Sequence, residues 1–229
     1  MNFSIPECKE VLVLAPHPDD EALGCAGTLM LLNQKGVSST IIFFTNGESL
    51  YENPSPVIGE KRREEGLRAS EMLGCNEPLF LVLPDGAVGA HKEEIYNKLA
   101  DIITLKKPDM IFSPSLIDYH QDHIATSSIS LSLLKNINSF TLVFYEVYSA
   151  VRFSHLIDIS EVIEQKKQII LTYKTSLYEN PDVYVHAFLG LNAHRSVFVQ
   201  KKGYYEAFYI PESTDDEESV LRYLCYKDQ

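Results

Sequence analysis

The sequence predicts an α/β fold in a single domain, with a Rossmann-like, mostly parallel sheet that carries helices on both faces. Three observations support this prediction. Short apolar runs of strand length alternate along the chain with longer stretches of helical periodicity. The runs are continuously apolar, as in strands that are buried on both faces of a parallel sheet. The chain has 229 residues, 45% of them hydrophobic, which is enough for one substantial core.

The elements of the first part follow a regular order of strand and helix. Residues 11–15 predict a strand that Pro16 ends, and residues 21–35 predict a helix that Gly36 ends. The following elements alternate in the same way: strands at 39–44 and 79–83 around a helix at 59–73 that Gly74 ends, a helix at 91–105, a strand at 109–113, a helix from about 121 to 134, and a strand at 141–148. Such β-α-β units build a parallel sheet.

Beyond residue 150 the periodicity is weaker. It predicts helices at 160–173 and 182–196 and a strand at 204–210, and the acidic run at 215–218 is typical of the start of a solvated helix. We expect one domain over residues 1–229. Its core would be about residues 8–150, and the later part, about residues 151–229, would pack on this core and help to wall the pocket.

Composition and charge exclude several classes of function. The formal charge of −12 would repel phosphate backbones and anionic lipid surfaces, which argues against nucleic acid as a partner. No stretch approaches the roughly 18 apolar residues of a membrane span, and the first residues lack the features of a secretion signal. Four cysteines without a C-x-x-C pair favour reduced thiols and a cytoplasmic protein over disulfides or a thiolate zinc site.

The turn after the first predicted strand carries an unusual density of charge. His17, Pro18, Asp19, Asp20 and Glu21 place three carboxylates and an imidazole in one strand-to-helix turn. Their mutual repulsion costs stability unless a cation or hydrogen-bond donors offset it. A helix dipole contributes only about 0.3–1 kcal/mol per charge, so a bound cation is the simpler explanation.

A second cluster, residues 118–123, follows another predicted strand and contains His120 and His123. Ligands of open parallel sheets bind beyond the carboxyl ends of the strands, so the topology can bring the two clusters together. His17 and Asp20 with one of the two later histidines would form a three-ligand catalytic zinc site. The spacing leaves open which histidine binds the metal and which acts on the substrate. The alternative explanation for both clusters is capping carboxylates and solvent-exposed histidines.

These motifs resemble the PIG-L and LmbE-like zinc-dependent N-deacetylases, which are related to the enzyme that de-N-acetylates N-acetylglucosaminyl-phosphatidylinositol. The family signature is A-H-P-D-D-E followed by a distal H-x-D-H. Ala15 and residues 17–21 reproduce the first motif, with Pro16 inserted, and residues 120–123 reproduce the second. Weaker matches occur in the same order along the chain: T-x-G-E at 45–48, R-x-x-E at 62–65, L-G at 73–74, L-P-D-G at 83–86 and Y-E-A-F at 205–208.

The resemblance implies a role for each residue of the two motifs. The implied zinc ligands are His17, Asp20 and His123. Asp19 would be the general base, His120 would face the substrate carbonyl, and Asp122 would orient His120. On this basis we expect a protonated His120, favoured by the Asp122 carboxylate, to stabilise the charge that develops on the carbonyl oxygen.

The resemblance also points to substrate contacts. Arg62 and Asp85 would hydrogen-bond sugar hydroxyls. A surface salt bridge for Arg62 and a simple turn position for Asp85 are equally good explanations. His194 and Glu206 are further candidates for a place behind the metal ligands or in the pocket wall.

The resulting hypothesis is a metal-dependent hydrolase that removes an N-acetyl group from an N-acetylglucosamine-type conjugate and releases acetate and a free amine. The expected cofactor is Zn²⁺, and Fe²⁺ is an alternative because two imidazoles and a carboxylate accept both ions. The expected partner is a small N-acetylated amino sugar, and a homo-oligomer is left open. Two alternatives are an amidase for a larger acyl group and a non-hydrolytic, metal-containing sugar-binding module.

Overall fold

The structure of the protein, a computed structural model, describes residues 2, 4–49, 54–177 and 180–225. Within these residues one sheet is formed by seven strands: β1 (Glu10–Ala15), β2 (Ser38–Thr45), β3 (Leu79–Leu83), β4 (Met110–Pro114), β5 (Thr141–Tyr145), β6 (His155–Asp158) and β7 (Tyr205–Tyr209). Their order across the sheet is β3-β2-β1-β4-β5-β7-β6.

The sheet is mostly parallel, as predicted. β1 pairs in parallel with β2 and β4, β2 with β3, and β4 with β5. β7 runs antiparallel to both β5 and β6, so the last two strands complete the same sheet. This confirms the single-domain α/β fold. The division near residue 150 between a core and a later part stays a prediction.

The described part of the chain forms nine helices: α1 (Asp20–Gly24), α2 (Ala26–Gln34), α3 (Pro56–Leu73), α4 (Lys92–Lys106), α5 (Gln121–Ile137), α6 (Ile163–Ile170), α7 (Pro181–His194), α8 (Ser196–Val199) and α9 (Glu217–Leu224). Short 3₁₀ turns precede α4 and α6. No helix among these has the length and apolar character that crossing a membrane requires.

Both faces of the sheet are buried under helices. On β1, Val11 and Val13 belong to one apolar core, whereas Leu12 and Leu14 belong to the other. Helices α1, α2, α3, α6 and α7 pack into the first core, and α4, α5 and α9 pack into the second. Burial on both sides explains why the central strands are continuously apolar in the sequence.

Several elements differ from the sequence-based expectation. The helix predicted at 21–35 is two helices, because Cys25 interrupts it with φ −143° and ψ 11°. The strand predicted as buried at 79–83 is the outer strand β3, and its Val82 is 62% exposed. β6 has no predicted counterpart, since four residues are too few for a recognisable pattern.

The order of the strands creates a crevice beside β1. β2 and β3 lie on one side of β1, and β4 and β5 lie on the other. The strand order therefore reverses between β1 and β4, which is the point at which open α/β sheets bind ligands. The turns that follow β1 and β4, residues 16–19 and 115–120, both lie at the carboxyl ends of their strands.

A buried ion pair links the last part of the chain to the helices beside β1. Lys166 of α6 and Glu206 of β7 are both fully buried, and Lys166 Nζ donates to Glu206 Oε1 at 2.6 Å and to the Leu23 carbonyl at 2.9 Å. Glu206 also accepts the backbone N–H groups of Gly27 at 2.9 Å and Thr28 at 2.8 Å, in the first turn of α2. Its charge thus lies at a helix N-terminus, where the helix dipole stabilises it.

Candidate active site

The turn between β1 and α1 buries the first charged cluster. Asp20 begins α1, is fully buried, and accepts the backbone N–H of His17 at 2.9 Å through Oδ2. Asp19 has φ 140°, a positive value that an aspartate rarely adopts. Its backbone N–H donates to Glu21 Oε2 at 3.3 Å, and the other oxygen of Glu21 accepts from the Tyr173 hydroxyl. Glu21 therefore helps to hold the unusual backbone of Asp19.

The turn between β4 and α5 presents the second cluster. His120 immediately precedes α5, and its Nδ1 accepts the backbone N–H of Asp122 at 3.2 Å. Asp118 fixes the turn with both oxygens, because Oδ1 accepts from His120 N at 3.0 Å and Oδ2 accepts from Tyr148 N at 3.1 Å. His123 is fully buried, with its Nδ1 3.1 Å from Asp118 Oδ1. Asp118 therefore orients both the turn and the His123 ring.

The two clusters meet around Asp20, as their positions in the sheet predict. Asp20 Oδ1 lies 3.1 Å from His123 Nε2, and Asp20 Oδ2 lies 3.4 Å from His17 Nδ1. The ring centroids of His17 and His120 are 4.6 Å apart, those of His120 and His123 are 5.1 Å apart, and those of His17 and His123 are 5.5 Å apart. Three imidazoles and a carboxylate from two distant segments thus share one buried space.

This arrangement suits a metal ion. Two overlapping sets of side chains bring their ligand atoms within 4.8 Å of one another: His17, His120 and His123, and His17, Asp85 and Asp122. Asp20 Oδ1 and both ring nitrogens of His123 are buried, yet none makes a well-aligned hydrogen bond to a residue that the structure describes. A buried polar atom without a partner costs about 1–3 kcal/mol. A cation between Asp20 and His123 would satisfy Asp20 Oδ1 and His123 Nε2, while His123 Nδ1 faces the Asp118 carboxylate.

The carboxylate of Asp122 has partners other than the His120 ring. Its Oδ2 accepts from Gly86 N at 2.8 Å and lies 3.3 Å from His17 Nε2, and its Oδ1 accepts from Val88 N at 3.1 Å. The group of Asp122 that reaches the His120 ring is its backbone N–H. The structure therefore corrects the expectation that this carboxylate orients His120. It instead anchors the loop after β3 and orients His17.

The protonation of His120 also differs from the expectation. Because Nδ1 accepts an N–H, the neutral ring carries its proton on Nε2. Burial, together with the nearby rings of His17 and His123, lowers the pKa of His120. The structure therefore favours a neutral His120 with Nε2–H as a donor over the expected imidazolium.

Asp19 and Arg62 form a buried pair beside the cluster. Arg62 Nη2 donates to Asp19 Oδ2 at 3.1 Å and to the Pro18 carbonyl at 2.8 Å, and Nη1 donates to the Gly47 carbonyl at 3.0 Å. A side chain at Gly47 would collide with the guanidinium, which explains the glycine of the T-x-G-E turn. Arg62 is 3% exposed, so it is not a surface salt bridge. Burial raises the pKa of Asp19 to about 6, against the opposing effect of Arg62.

A cavity of about 390 Å³ opens beside these residues. Asp85 borders it, with Oδ1 3.0 Å from His17 Nε2 and Oδ2 accepting Ser49 N at 2.9 Å. The complete lining is His17, Asp19, Ser49, Arg62, Asp85, Gly86, His120, Tyr148, Ser176 and Tyr184. The cavity has the volume of a small-molecule site, and most of its polar groups come from the loops that follow the strands.

Comparison with known proteins agrees with this site. Residues 12–134, more than half of the chain, match the family model described as PIG-L, GlcNAc-PI de-N-acetylase. The chain belongs to the PIG-L family. The matched region contains both charged clusters and ends inside α5.

Relatives of this PIG-L protein include enzymes named as deacetylases. The diacetylchitobiose deacetylase of Thermococcus kodakarensis is 26% identical over 204 residues, which cover 79% of this chain and 74% of that protein. The uncharacterized deacetylase YaiS of Escherichia coli K12 is 30% identical over 134 residues, 56% of this chain and 70% of that protein. The solved structure of the N,N'-diacetylchitobiose deacetylase from Pyrococcus horikoshii shares the fold, with a TM-score of 0.79, 20% identity, and coverage of 90% and 85% of the two chains.

Some residues of the PIG-L site are not apparent from the sequence, and two expected ones lie elsewhere. Asp118 was missed, although an acidic residue next to two candidate ligand histidines is a recognisable signal. Tyr184 comes from the weakly patterned later part and has no local signal. Within the described residues the cavity lining does not include the candidates His194 and Glu206. Glu206 is paired with Lys166, and His194 is exposed at the end of α7.

Proposed function

We propose that this PIG-L protein is a zinc-dependent hydrolase that removes the N-acetyl group from an N-acetylglucosamine-type amino-sugar conjugate, releasing acetate and a free amine. One observation carries the proposal: Asp20 Oδ1 and His123 Nε2 lie buried and 3.1 Å apart without a well-aligned hydrogen bond, next to a cavity that Asp19 lines. The relatives that are named as deacetylases support the same reaction.

The proposed zinc ligands are His17, Asp20 and His123. Two imidazoles and one carboxylate are typical of catalytic zinc sites, which keep a further position open. When bound there, zinc would supply Lewis acidity toward water and a carbonyl oxygen. Asp118 and Asp122, at 3.1 Å from His123 Nδ1 and 3.3 Å from His17 Nε2, support the assignment, because carboxylates of this kind fix metal-binding histidines.

Asp19 is the proposed general base. In the metal-free protein burial raises the pKa of Asp19 to about 6. As a carboxylate, Asp19 would accept a proton from the attacking water and release it afterwards to the departing nitrogen. Arg62 holds one carboxylate oxygen of Asp19, and the Asp19 side chain borders the cavity from which the water would approach. We therefore assign to Arg62 the positioning of Asp19 rather than the binding of a sugar hydroxyl.

His120 is the proposed donor to the substrate carbonyl. The Asp122 N–H fixes its tautomer, so the proton on Nε2 is available where the ring borders the cavity. A donor that is already oriented stabilises the negative charge that develops on the carbonyl oxygen, and removal of such a donor typically costs about 10²–10³ in rate. Asp85 remains the proposed acceptor for sugar hydroxyls, because it lines the same cavity.

The proposed partner is a small N-acetylated amino sugar. The net charge of −12 opposes a nucleic-acid substrate. A cytoplasmic location is proposed because the four cysteines include no C-x-x-C pair and are all free thiols, as expected in a reducing compartment. Iron(II) would fit the same ligand set, so metal analysis of freshly isolated protein identifies the native ion.

The test measures zinc content and acetate release on the same samples, with a panel of N-acetylated amino sugars. Asp19→Ala is expected to keep one zinc per chain and to lose at least about 10²-fold in rate, because the ligands remain and the base is gone. Asp20→Ala is expected to lose both zinc and activity. Asp101→Ala, an exposed aspartate of α4, is the matched control and should keep both. Unchanged acetate release by Asp19→Ala would contradict its role as the base.

The same experiment, extended to binding and to N-butanoyl and longer N-acyl sugars, separates the alternatives. A sugar-binding module would bind a sugar without releasing acetate at any metal loading, and an amidase for larger groups would cleave N-butanoyl or longer substrates in preference to N-acetyl ones. Asp19 argues against the binding module, because a site that only binds needs no base beside its metal ligands. If the zinc-loaded protein cleaves no N-acetylated sugar in the panel, the proposed function is wrong.

A further inference from the structure

A second cavity, of about 410 Å³, adjoins the active-site cavity. Tyr148 and Tyr184 line both, so the two cavities meet at these rings. The Tyr148 ring stacks on His123 with centroids 5.7 Å apart and meets the Phe188 ring at a steep angle with centroids 6.1 Å apart. The Tyr148 ring therefore separates a group in the second cavity from His123, one of the proposed metal ligands.

The second cavity is apolar, in contrast to the first. One wall is a stripe on α7, formed by Val183, Ala187 and Leu191, which recur every fourth residue and so lie on one face of the helix. The segment after β5 contributes Val147 and Ala150 to the lining. Within the described residues the lining is aliphatic or aromatic and includes no charged group. Its chemistry suits a hydrocarbon better than a polyol, because among these residues only Tyr148 and Tyr184 carry a polar side-chain group.

Apolar surface is open to solvent at this cavity. Val183 is 62% exposed and Tyr148 is 48% exposed, although both belong to residue types that gain free energy when water is removed. An exposed apolar surface marks a binding site, and its continuity with the active-site cavity points to the ligand of that cavity as the occupant. Because the two cavities share lining residues, one substrate can extend from the polar cavity into the apolar one.

We propose that the second cavity binds an apolar aglycone, an alkyl or aryl group attached to the amino sugar. This inference rests on the proposed function, in which the acyl group is acetyl. Acetyl ends in a single methyl group, which does not need a cavity of about 410 Å³. The occupant is therefore a part of the substrate that leaves with the amine. Asp85 and Ser49, which follow β3 and β2, would hold the sugar at the other side of the first cavity.

The experiment measures kcat/KM for acetate release from alkyl N-acetyl-β-glucosaminides, from methyl to hexyl. Each methylene that enters the cavity is expected to raise kcat/KM about two- to fourfold, so the hexyl-to-methyl ratio should reach about 30 or more. Ala187→Phe, which fills the cavity, should lower this ratio to about 1. His186→Phe on the same helix is the matched control and should keep the ratio, because His186 is exposed and is not among the described residues that line the cavity.

Three results would overturn the inference. The first is a wild-type series without dependence on the alkyl chain, and the second is an unchanged ratio in Ala187→Phe. The third is a rate that increases with the length of the N-acyl chain and loses this dependence in Ala187→Phe, since the occupant would then be the acyl group.

Failure of the proposed function is distinguishable from failure of this inference. If no glycoside in the series releases acetate, the proposed function fails. Calorimetric binding of hexyl and methyl glucosaminide, which needs no turnover, then decides the inference. Tighter binding of the hexyl compound that Ala187→Phe removes and His186→Phe retains supports the apolar cavity as its site, and equal binding of the two compounds overturns it.

Discussion

Separating the buried charges of Lys166 and Glu206 is expected to destabilise the fold strongly. Lys166→Met leaves the Glu206 carboxylate buried without its cation, and Glu206→Gln leaves the Lys166 ammonium buried without a counter-charge, with only the Leu23 carbonyl and the new amide oxygen as acceptors. Both side chains are 0% exposed, so water cannot replace the lost partner. Removing one member of a buried ion pair typically costs about 3–5 kcal/mol.

The two substitutions are not equivalent. After Lys166→Met, the Glu206 carboxylate keeps two backbone N–H donors, Gly27 and Thr28, at the N-terminus of α2. After Glu206→Gln, the amide NH₂ faces one of these donors, so a favourable contact becomes a repulsive one. We therefore expect Glu206→Gln to cost more than Lys166→Met. The double variant should cost less than the sum of the two by roughly 1–3 kcal/mol, as contacting residues do.

The assay is urea unfolding of metal-free protein followed by far-UV circular dichroism, because the chain contains no tryptophan. For a chain of this length, a loss of 3–5 kcal/mol corresponds to a Tm decrease of about 6–20 °C. Lys98→Met is the matched control: Lys98 Nζ donates to Glu94 at 2.7 Å on the surface, and its loss should cost less than about 1 kcal/mol. The reasoning is refuted if Lys166→Met costs no more than Lys98→Met, or if the double variant is additive.

Three further predictions concern the metal, the pH dependence and the thiols. Chelation should abolish acetate release, and added zinc should restore it. His123→Ala should lose zinc, whereas His120→Ala should keep zinc and lose about 10²–10³ in the rate of acetate release. Loss of zinc from His120→Ala would instead place His120 among the metal ligands. In metal-free protein, burial raises the pKa of Glu21 from 4.5 to about 8, so between these values the folded state holds a proton that the unfolded chain releases. This contribution to stability is present at low pH and lost as the pH rises through that window. Glu21→Gln should therefore flatten the pH dependence of the urea midpoint between about pH 5 and 8, and an equal slope in both proteins would contradict the assignment. Burial raises the pKa of Cys75 to about 12, whereas Cys225 is exposed, so Cys225→Ser should remove a fast phase of reaction with a thiol reagent at pH 8 and Cys75→Ser should not.

The centre of the sheet could be predicted from the sequence, but its edges could not. β1, β2 and β4 lie within one residue of the predicted ranges, because burial on both faces makes their sequences continuously apolar. The run Leu79–Leu83 has the same appearance, yet it forms an outer strand with an exposed Val82. Position in a sheet is set by pairing with other strands, and a single apolar run contains no information about it.

Short or interrupted secondary-structure elements also could not be predicted from the sequence. β6 has four residues, and its pairing with β7 gives it a place in the sheet. The break at Cys25 occurs within an apolar pattern that continues through both α1 and α2, so periodicity alone predicts one helix. Both features depend on contacts between distant segments.

In the site, the types of functional residue and the convergence of the two clusters could be predicted from the sequence, but the hydrogen-bond partners of each side chain could not. The clusters around His17 and His123 were expected to converge because each follows a parallel strand, and they do. The partner of the Asp122 carboxylate was misassigned because Gly86 and Val88, which bind it, come from the loop after β3. Such a contact depends on how that loop folds back, which motif spacing does not specify.

The central position of β1 has a consequence for the synthesis of the chain. β2 is made shortly after β1, but the other neighbour, β4, begins only at Met110, which pairs with Val11. At about 5–20 residues per second, one edge of β1 stays open for about 5–20 s during translation. The acidic turn after β1 can contact His123 only after residue 123 has also been synthesised, which is later than the start of β4. The ion could therefore be captured only after β1 to β4 and the start of α5 have been made, so its binding would follow the pairing of these strands rather than nucleate it.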